Sequence, residues 1–457
     1  MVATLLRLIG IDVTRLARET AITIVLAMLG VFAAMLALNA PGQLSYDSVT
    51  QLADGRRGFY NSWHPPLMAF LLGLFDRLVP GTLLFLVFQS ALMLGALLIL
   101  LWLKPRNWTA PVVALGIVLT PQWLLFQGEI WKDMLFADAA IAGFAALAVA
   151  AARGLSRPWL AASALLLTVA ACARQNGLVL LPVAAVTLGL IARRQGLKGW
   201  IYGAAFLLAT VGLGTAVTLA LAVRGDSGDG ASAQLRLGQS YDLAGAFSRQ
   251  PGLALPLSRT APALDRLLRS QGATLYTPLH NDPMAADPAI GQAISGAPRG
   301  AIAQSWRTLV LEHPALYLQT RLAVFAALVR TPDSFACHFA PVGVDGAPQL
   351  MTALGLTPGI RPQGRMLAQY AQAFFATPVY SHLFWAALAL VLMVVLLRRR
   401  EPADLAVAGL LAGALLFALT FVIIAIACDF RYLAFLDLSA MAAALYSVSG
   451  RDVRKRA

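Results

Sequence analysis

The stretch LLFLVFQSALMLGALLILLWL, Leu83 to Leu103, decides the fold. It carries no charge over 21 positions, and the basic residues Lys104 and Arg106 follow at once. About 20 apolar residues suffice to cross a hydrocarbon core of about 30 Å as a helix, which satisfies its backbone hydrogen bonds within the segment. Leu405 to Ala427 repeats the pattern, again without a charge. A β-barrel would show short segments of alternating polarity, so runs of this kind exclude it. The whole chain of 457 residues agrees: 59% is apolar, 12% is charged and the mean hydropathy is +0.72, whereas soluble domains average about 25% charged residues. The reading is an all-α, polytopic membrane helix bundle.

Ten segments are apolar enough to span: 20–39, 82–103, 109–126, 133–152, 158–173, 178–193, 200–223, 379–397, 404–427 and 431–449. The run after the basic N-terminal residues is longer than a signal peptide's apolar region and lacks an A-x-A site, so it is read as an uncleaved first span. A net charge of +13 would suggest nucleic acid in a soluble protein. Here 17 of the 35 basic residues fall in the N-terminal segment, in short loops and at the C-terminus, as Arg7/Arg15/Arg18, Lys104/Arg106, Arg153/Arg157, Arg193/Arg194/Lys198, Arg398 to Arg400 and Arg451/Arg454/Lys455/Arg456. These lie on one side of the ten-span topology, as the positive-inside rule requires, so the excess charge is topology and anionic headgroups, and no nucleic acid is expected. Arg outnumbers Lys 31 to 4, which points to a GC-rich bacterial genome and a bacterial inner membrane.

The opposite, outer face receives unequal loops. Residues 40–81 form a first loop in which 64–80, opened by His-Pro-Pro and closed by Pro-Gly, is expected to be a juxtamembrane or re-entrant helix. Short turns lie near 127–132, 174–177 and 428–430. Residues 224–378 form a domain-sized loop, rich in Pro, Gly and Ser to about 300 and then helical to Arg330 around a break at His313-Pro314. Three regions follow: a seven-span module at 1–223, an outer loop domain at 224–378, and a three-span region at 379–457. Cytoplasmic loops of five or six residues leave no room for a site, so the chemistry is expected outside.

Each outer turn carries polar groups unusual for its place. Asp47, after Tyr46, stands just beyond the first span, where desolvation would raise its pKa toward that of a useful base; it equally suits an N-cap. His64 opens the His-Pro-Pro segment. The turn Glu129-Ile-Trp131-Lys132-Asp133 offers a cation for phosphate and two carboxylates for sugar hydroxyls or a metal, or else an interfacial cap. Arg174 with Asn176, and Arg431 with Tyr432, place guanidinium groups at the outer ends of spans, to meet phosphate or to snorkel to headgroups. Asp138 and Asp437 lie within spans and are expected to brace Lys132, Arg174 or Arg431. Cys172, Cys337 and Cys428 show no paired spacing and are read as packing residues, with neither a disulfide framework nor a zinc site. The histidines His280, His313, His338 and His382 show no metal-binding spacing.

The order of first span, Tyr46-Asp47 loop, Trp63-His64-Pro65-Pro66-Leu67, Trp131-Lys132-Asp133, Arg174-Gln-Asn176-Gly177 and Asp429-Phe-Arg431-Tyr432 resembles the GT-C class of integral-membrane glycosyltransferases, which includes the protein O-mannosyltransferases and aminoarabinose transferases. The likeness covers most of 20–223 and the last spans; 224–378 matches loosely through Trp306, His313-Pro314, Tyr317 and Arg321. It implies inverting transfer of a sugar from a polyprenyl-phosphate carrier to an acceptor hydroxyl of an envelope glycan, lipid or protein, with Asp47 as catalytic base. Lys132, Arg174 and Arg431 would then neutralise the leaving phosphate. The Asp-x-Asp pattern of the class's second loop is missing at Glu129/Asp133, so no metal or other cofactor is expected. Two other readings compete. An O-antigen-type ligase or polymerase would take its base from 224–378, and a lipid-linked-substrate transporter or flippase would need symmetric halves and polar groups at mid-membrane.

Overall fold

The computed structural model describes residues 13–103 and 109–448. The basic residues Arg7, Lys104, Arg106 and Arg451 to Arg456 lie outside these, so orientation rests on the sequence pattern. Every regular element among the described residues is helical.

Among the described residues, six helices are long and apolar enough to cross a membrane: Leu83–Trp102, Lys132–Ala152, Gln175–Arg194, Gly199–Ala222, His382–Arg399 and Pro402–Ile424. The expected ten spans are reached only by adding shorter or broken pieces. Ala110–Val118 and Pro121–Gly128 form one candidate bent by 57°, because Pro121 cannot continue the preceding helix. Val25–Asn39 and Arg157–Ala173 are apolar but shorter. The segment expected at 431–449 begins with the 3-10 turn Phe430–Leu433 and continues as the 15-residue helix Ala434–Val448.

Lys132–Ala152 is the centre of the bundle. Its many Ala and Gly residues let Arg157–Ala173, Leu83–Trp102, Pro402–Ile424 and Ala434–Val448 close around it, and the candidate span is wholly buried. Gly143 lies against the Leu167 side chain and Gly413 of a second helix against Leu180, contacts that a Cβ would obstruct. Gly199–Ala222 is the opposite case, apolar on all sides and only 11% buried, as a lipid-facing helix should be.

Pro66–Leu78, the core of the 64–80 segment, has 13 residues, about 20 Å at 1.5 Å per residue, short of a crossing. It packs on Tyr46–Arg57 through Gly55 and Gly73, whose backbones touch. Gly73→Ala drives a methyl into the Gly55 backbone and is expected to cost about 1–3 kcal/mol. The check is the thermal midpoint in detergent; an unchanged midpoint would show that the two helices do not cross at these glycines.

In the 224–378 segment, Ala301–Glu312 and Pro314–Arg330 flank the expected break at His313-Pro314. The region before residue 300 is less irregular than its composition suggests, since Asp229–Arg249 is a 21-residue helix. No proline falls within it, and Gly245 is where Tyr276 and Thr320 press against its backbone. Asp242 of this helix accepts from Trp306 Nε1 (2.8 Å) and Arg321 (3.0 Å), and Arg321 also donates to the Ala425 carbonyl at the end of Pro402–Ile424 (2.6 Å). Trp306 thus ties two helices of the 224–378 segment together, and Arg321 fastens that segment to the bundle.

The reading of the cysteines needs correction. Cys337 and Cys428, 91 residues apart, form a disulfide, and Cys172 alone stays a free thiol. The pairing escapes spacing rules because the two meet only when the large loop folds onto the turn before the last helix.

Candidate active site

The first loop is stitched into the bundle before it reaches Asp47. Gln43 donates through its backbone to the Gly128 carbonyl (2.9 Å) and accepts from the Ile130 amide (3.0 Å), while Leu44 donates to Gly343 (2.9 Å) and accepts from Asp345 (2.9 Å). Two outer segments thus flank the loop, which then turns into Tyr46–Arg57 with Ser45 as N-cap. Ser45 Oγ accepts from Trp131 Nε1 (2.9 Å), and Ser48 donates to the Ile130 carbonyl (2.6 Å). Asp47 is therefore in the first turn of the helix and not its cap, with its side chain 31% exposed.

Two expected site residues reach its carboxylate, and a third stands behind one of them. Arg431 Nη2 lies 3.3 Å from Oδ2 and His64 Nε2 lies 3.5 Å from Oδ1. Lys132 Nζ, at the start of the central helix, lies 2.6 Å from His64 Nδ1. Since an ammonium only donates, Nδ1 accepts, and the ring proton sits on Nε2, directed at Asp47. Arg431 also pairs with Asp429 (Nε to Oδ2, 2.8 Å) and stacks over the Trp131 ring (4.7 Å).

Electrostatics here correct the expectation for Asp47. Burial by itself raises a carboxyl pKa, but the His64 hydrogen bond and the charges of Arg431 and Lys132 outweigh it and hold Asp47 well below the usual carboxylate range. Burial and then the charge of Lys132 push the His64 pKa below its ordinary value, which favours the neutral ring. Glu129 behaves oppositely. It is 2% exposed, one carboxylate oxygen has no hydrogen-bond partner, and burial pushes its pKa well above the ordinary value against the pull of Arg431.

The other candidates are arranged differently. Arg174, 7% exposed, is ion-paired to Asp133 and boxed by Phe417, Phe421 and Tyr432, with ring centroids 5.3–5.6 Å away. Asp133, read as a partner for sugar hydroxyls or metal, is thus committed to Arg174. Asn176 donates to Thr420 Oγ1 (2.9 Å) between helices, and Tyr46 is 59% exposed beside Asp47. Tyr432 lies against both Arg174 and Arg431. The bracing role expected of the intramembrane acids is not seen: Asp138 accepts from Gln127 (2.8 Å) and Asp437 meets His382 (3.0 Å). Arg174 and Arg431 take Asp133 and Asp429 instead, and Lys132 takes His64. Among the described residues, no three His, Cys, Asp or Glu side chains converge as metal ligands. Asp429 is the contributor that sequence reasoning passed over, although it opens the Asp-Phe-Arg-Tyr motif.

An apolar groove of about 690 Å³ adjoins the cluster, with His64, Pro66 and Asn61 at its polar end and Leu178, Val211 and Leu219 along its side. It follows the lipid-facing helix Gly199–Ala222, where Gly214 and Thr210 leave room.

No family model matches the chain, and no curated protein matches it. Among solved structures it is similar to the archaeal oligosaccharyltransferase AglB from Archaeoglobus fulgidus in complex with an inhibitory peptide and a dolichol-phosphate, at 13% identity and a TM-score of 0.42, over 94% of this chain and 50% of that one. The chain spans about half the length of that protein. Likeness at this level fixes neither substrate nor activity.

Proposed function

We propose that the protein is an inverting glycosyltransferase of the GT-C class. It moves a sugar from a polyprenyl-phosphate carrier to an acceptor hydroxyl on the outer face of a bacterial inner membrane. One observation carries this reading: His64 lines one end of an apolar groove that runs along a lipid-facing helix, and behind it His64 meets Asp47 and Lys132, with Arg431 on the far side of Asp47. An amphiphile with one anionic head and a long apolar tail matches that arrangement. The Cys337–Cys428 bridge supports the outer placement, because disulfides persist in oxidising compartments.

In this reading the tail lies in the groove and the phosphate among Lys132 and Arg431. Asp47 takes the proton of the acceptor hydroxyl as its oxygen attacks the anomeric carbon in line. The bond from that carbon to the phosphate oxygen breaks, and the lipid phosphate leaves with the electron pair, its growing charge met by the two cations. The depressed pKa of Asp47 is a resting-state property. Arg431, shared between Asp47 and Asp429, is drawn toward an arriving phosphate, and Asp47 then recovers basicity when the donor is bound. Arg174 with Asp133 supports Tyr432 and the Arg431 turn from within the bundle, Asn176 holds the third outer turn against Thr420, and Glu129 lines the buried wall.

Lys132→Ala removes the cation that faces the groove through His64. It is expected to weaken apparent affinity for a polyprenyl-phosphate sugar by about tenfold to a hundredfold, a charge-assisted contact of about 1.5–3 kcal/mol. Proteoliposomes supplied with labelled donor provide the measurement, and unchanged donor affinity would remove Lys132 from the phosphate role. Absence of transfer by the intact protein from any hexosyl or pentosyl polyprenyl phosphate would sink the reading itself. Mass spectrometry of envelope glycolipids with and without the protein would name the transferred unit.

A further inference from the structure

Arg431 reaches Asp47 across 384 positions of sequence. It sits in the 3-10 turn Phe430–Leu433, a few residues after Pro402–Ile424, and such a turn does not by itself place a guanidinium within hydrogen-bonding reach of a carboxylate on another loop. A segment of the outer domain supplies the missing constraint. Cys337 is bonded to Cys428, three residues before Arg431, and both cysteines are fully buried. The Phe430 amide donates to the Cys337 carbonyl (2.9 Å), and the Cys428 amide donates to Leu279 (2.6 Å). The Phe430 ring is seated against Phe339, Tyr380 and His382, with centroids 5.4, 4.8 and 4.2 Å away. A few residues on, the same segment engages the first loop: Gly343 accepts from the Leu44 amide, Asp345 donates to the Leu44 carbonyl, and the Gly343 amide donates to Gln43 Oε1 (2.7 Å). Leu44 is three residues before Asp47.

Residues 337–345 therefore form a strap with one end covalently fixed to the turn that carries Arg431 and the other paired to the loop that carries Asp47. We infer that the Cys337–Cys428 disulfide is a positioning element of the active site, holding the Asp429–Arg431 turn at the distance from Asp47 that the site requires. The inference rests on the reading of this cluster as a lipid-phosphate site. The cysteines touch no reacting atom; they act through Arg431.

The experiment compares the intact protein with the pair Cys337→Ser/Cys428→Ser, in nanodiscs, by two readouts. Hydrogen exchange at residues 426–433 is expected to quicken while the central helix Lys132–Ala152 keeps its protection. Affinity for undecaprenyl phosphate, used as the probe, is expected to fall about tenfold, and removing the same two cysteines from an Arg431→Ala background should lower it no further, as for groups acting through one another. An additive loss in that background, exchange that quickens throughout the bundle, or unchanged exchange at the turn would each overturn the proposal. If serine is not tolerated at these buried sites, Cys337→Ala/Cys428→Ala carries the same comparison. Failure of both pairs to give monodisperse protein would assign the bridge to the fold as a whole and overturn it too. Should the intact protein not bind undecaprenyl phosphate, the lipid-phosphate reading fails, and exchange at 426–433 still decides whether the bridge positions the turn.

Discussion

Asp47→Asn is expected to lower sugar transfer by about two to four orders of magnitude, the range that a positioned general base contributes. Asparagine keeps the size of the side chain and can still accept from His64 and Arg431, but it cannot take a proton. Folding should survive, because the side chain is 31% exposed and the start of its helix is held by Ser45, Ser48 and Gln43. The measurement is transfer in proteoliposomes alongside a thermal midpoint, and retained transfer would remove Asp47 from the chemistry. The sign of its contribution to stability follows from the direction of its pKa. A carboxyl held lower in the folded state than in the unfolded one stabilises the fold above its unfolded value of about 3.8, and loses that contribution as pH falls toward the folded value. The Asn variant should therefore lose less stability than the intact protein on acidification below about pH 4.

Arg431→Ala should be nearly as damaging, lowering kcat by about two to three orders of magnitude, the scale of removing one preorganised donor from a developing anion. It also carries a signature that simple loss of a structural residue would not give. Arg431 is one of the charges that hold Asp47 low, so its removal lets the Asp47 pKa climb back toward 3.8 or, with burial then less opposed, beyond it. The acid limb of the residual activity should move to higher pH than in the intact protein. His64 shapes the same limb, since burial and Lys132 hold its pKa down and an imidazolium could no longer accept from Lys132. A variant with activity within a few-fold of the intact protein, or an acid limb that does not move, would show that Arg431 meets neither the phosphate nor the base.

Asp47, His64, Lys132 and Arg431 were legible one by one, because each is a polar group where an apolar span ends, and such groups are costly without partners. Their mutual arrangement was not legible. Asp138 and Asp437 look from sequence like natural braces for nearby cations, yet Gln127 and His382 face them, while Asp133 and Asp429 take Arg174 and Arg431. Which acid meets which base depends on the rotation of each helix about its axis and on where neighbouring helices end, and neither leaves a local trace. The disulfide was closer to hand. Two cysteines on the side that the basic loops mark as outer, one directly before the Asp-Phe-Arg-Tyr motif, were a usable signal that spacing rules discard.

The amino-acid sequence alone determined that this is a helical membrane protein, where its long apolar runs lie, that 64–80 is too short and too broken to be an ordinary span, and which turns carry polar groups at the ends of spans. These are local properties, written in runs of about 20 residues and in the prolines and charges that bound them. Only the tertiary structure decided that the first loop is stitched between Gly128 and Gly343, that Arg431 crosses the chain to pair with Asp47, and that Asp47 is held below rather than above its ordinary pKa. The physical reason is the same in each case: a carboxylate's pKa and a cation's partner are set by the few charges within several ångströms, and here those charges come from separate segments, the farthest 384 positions away.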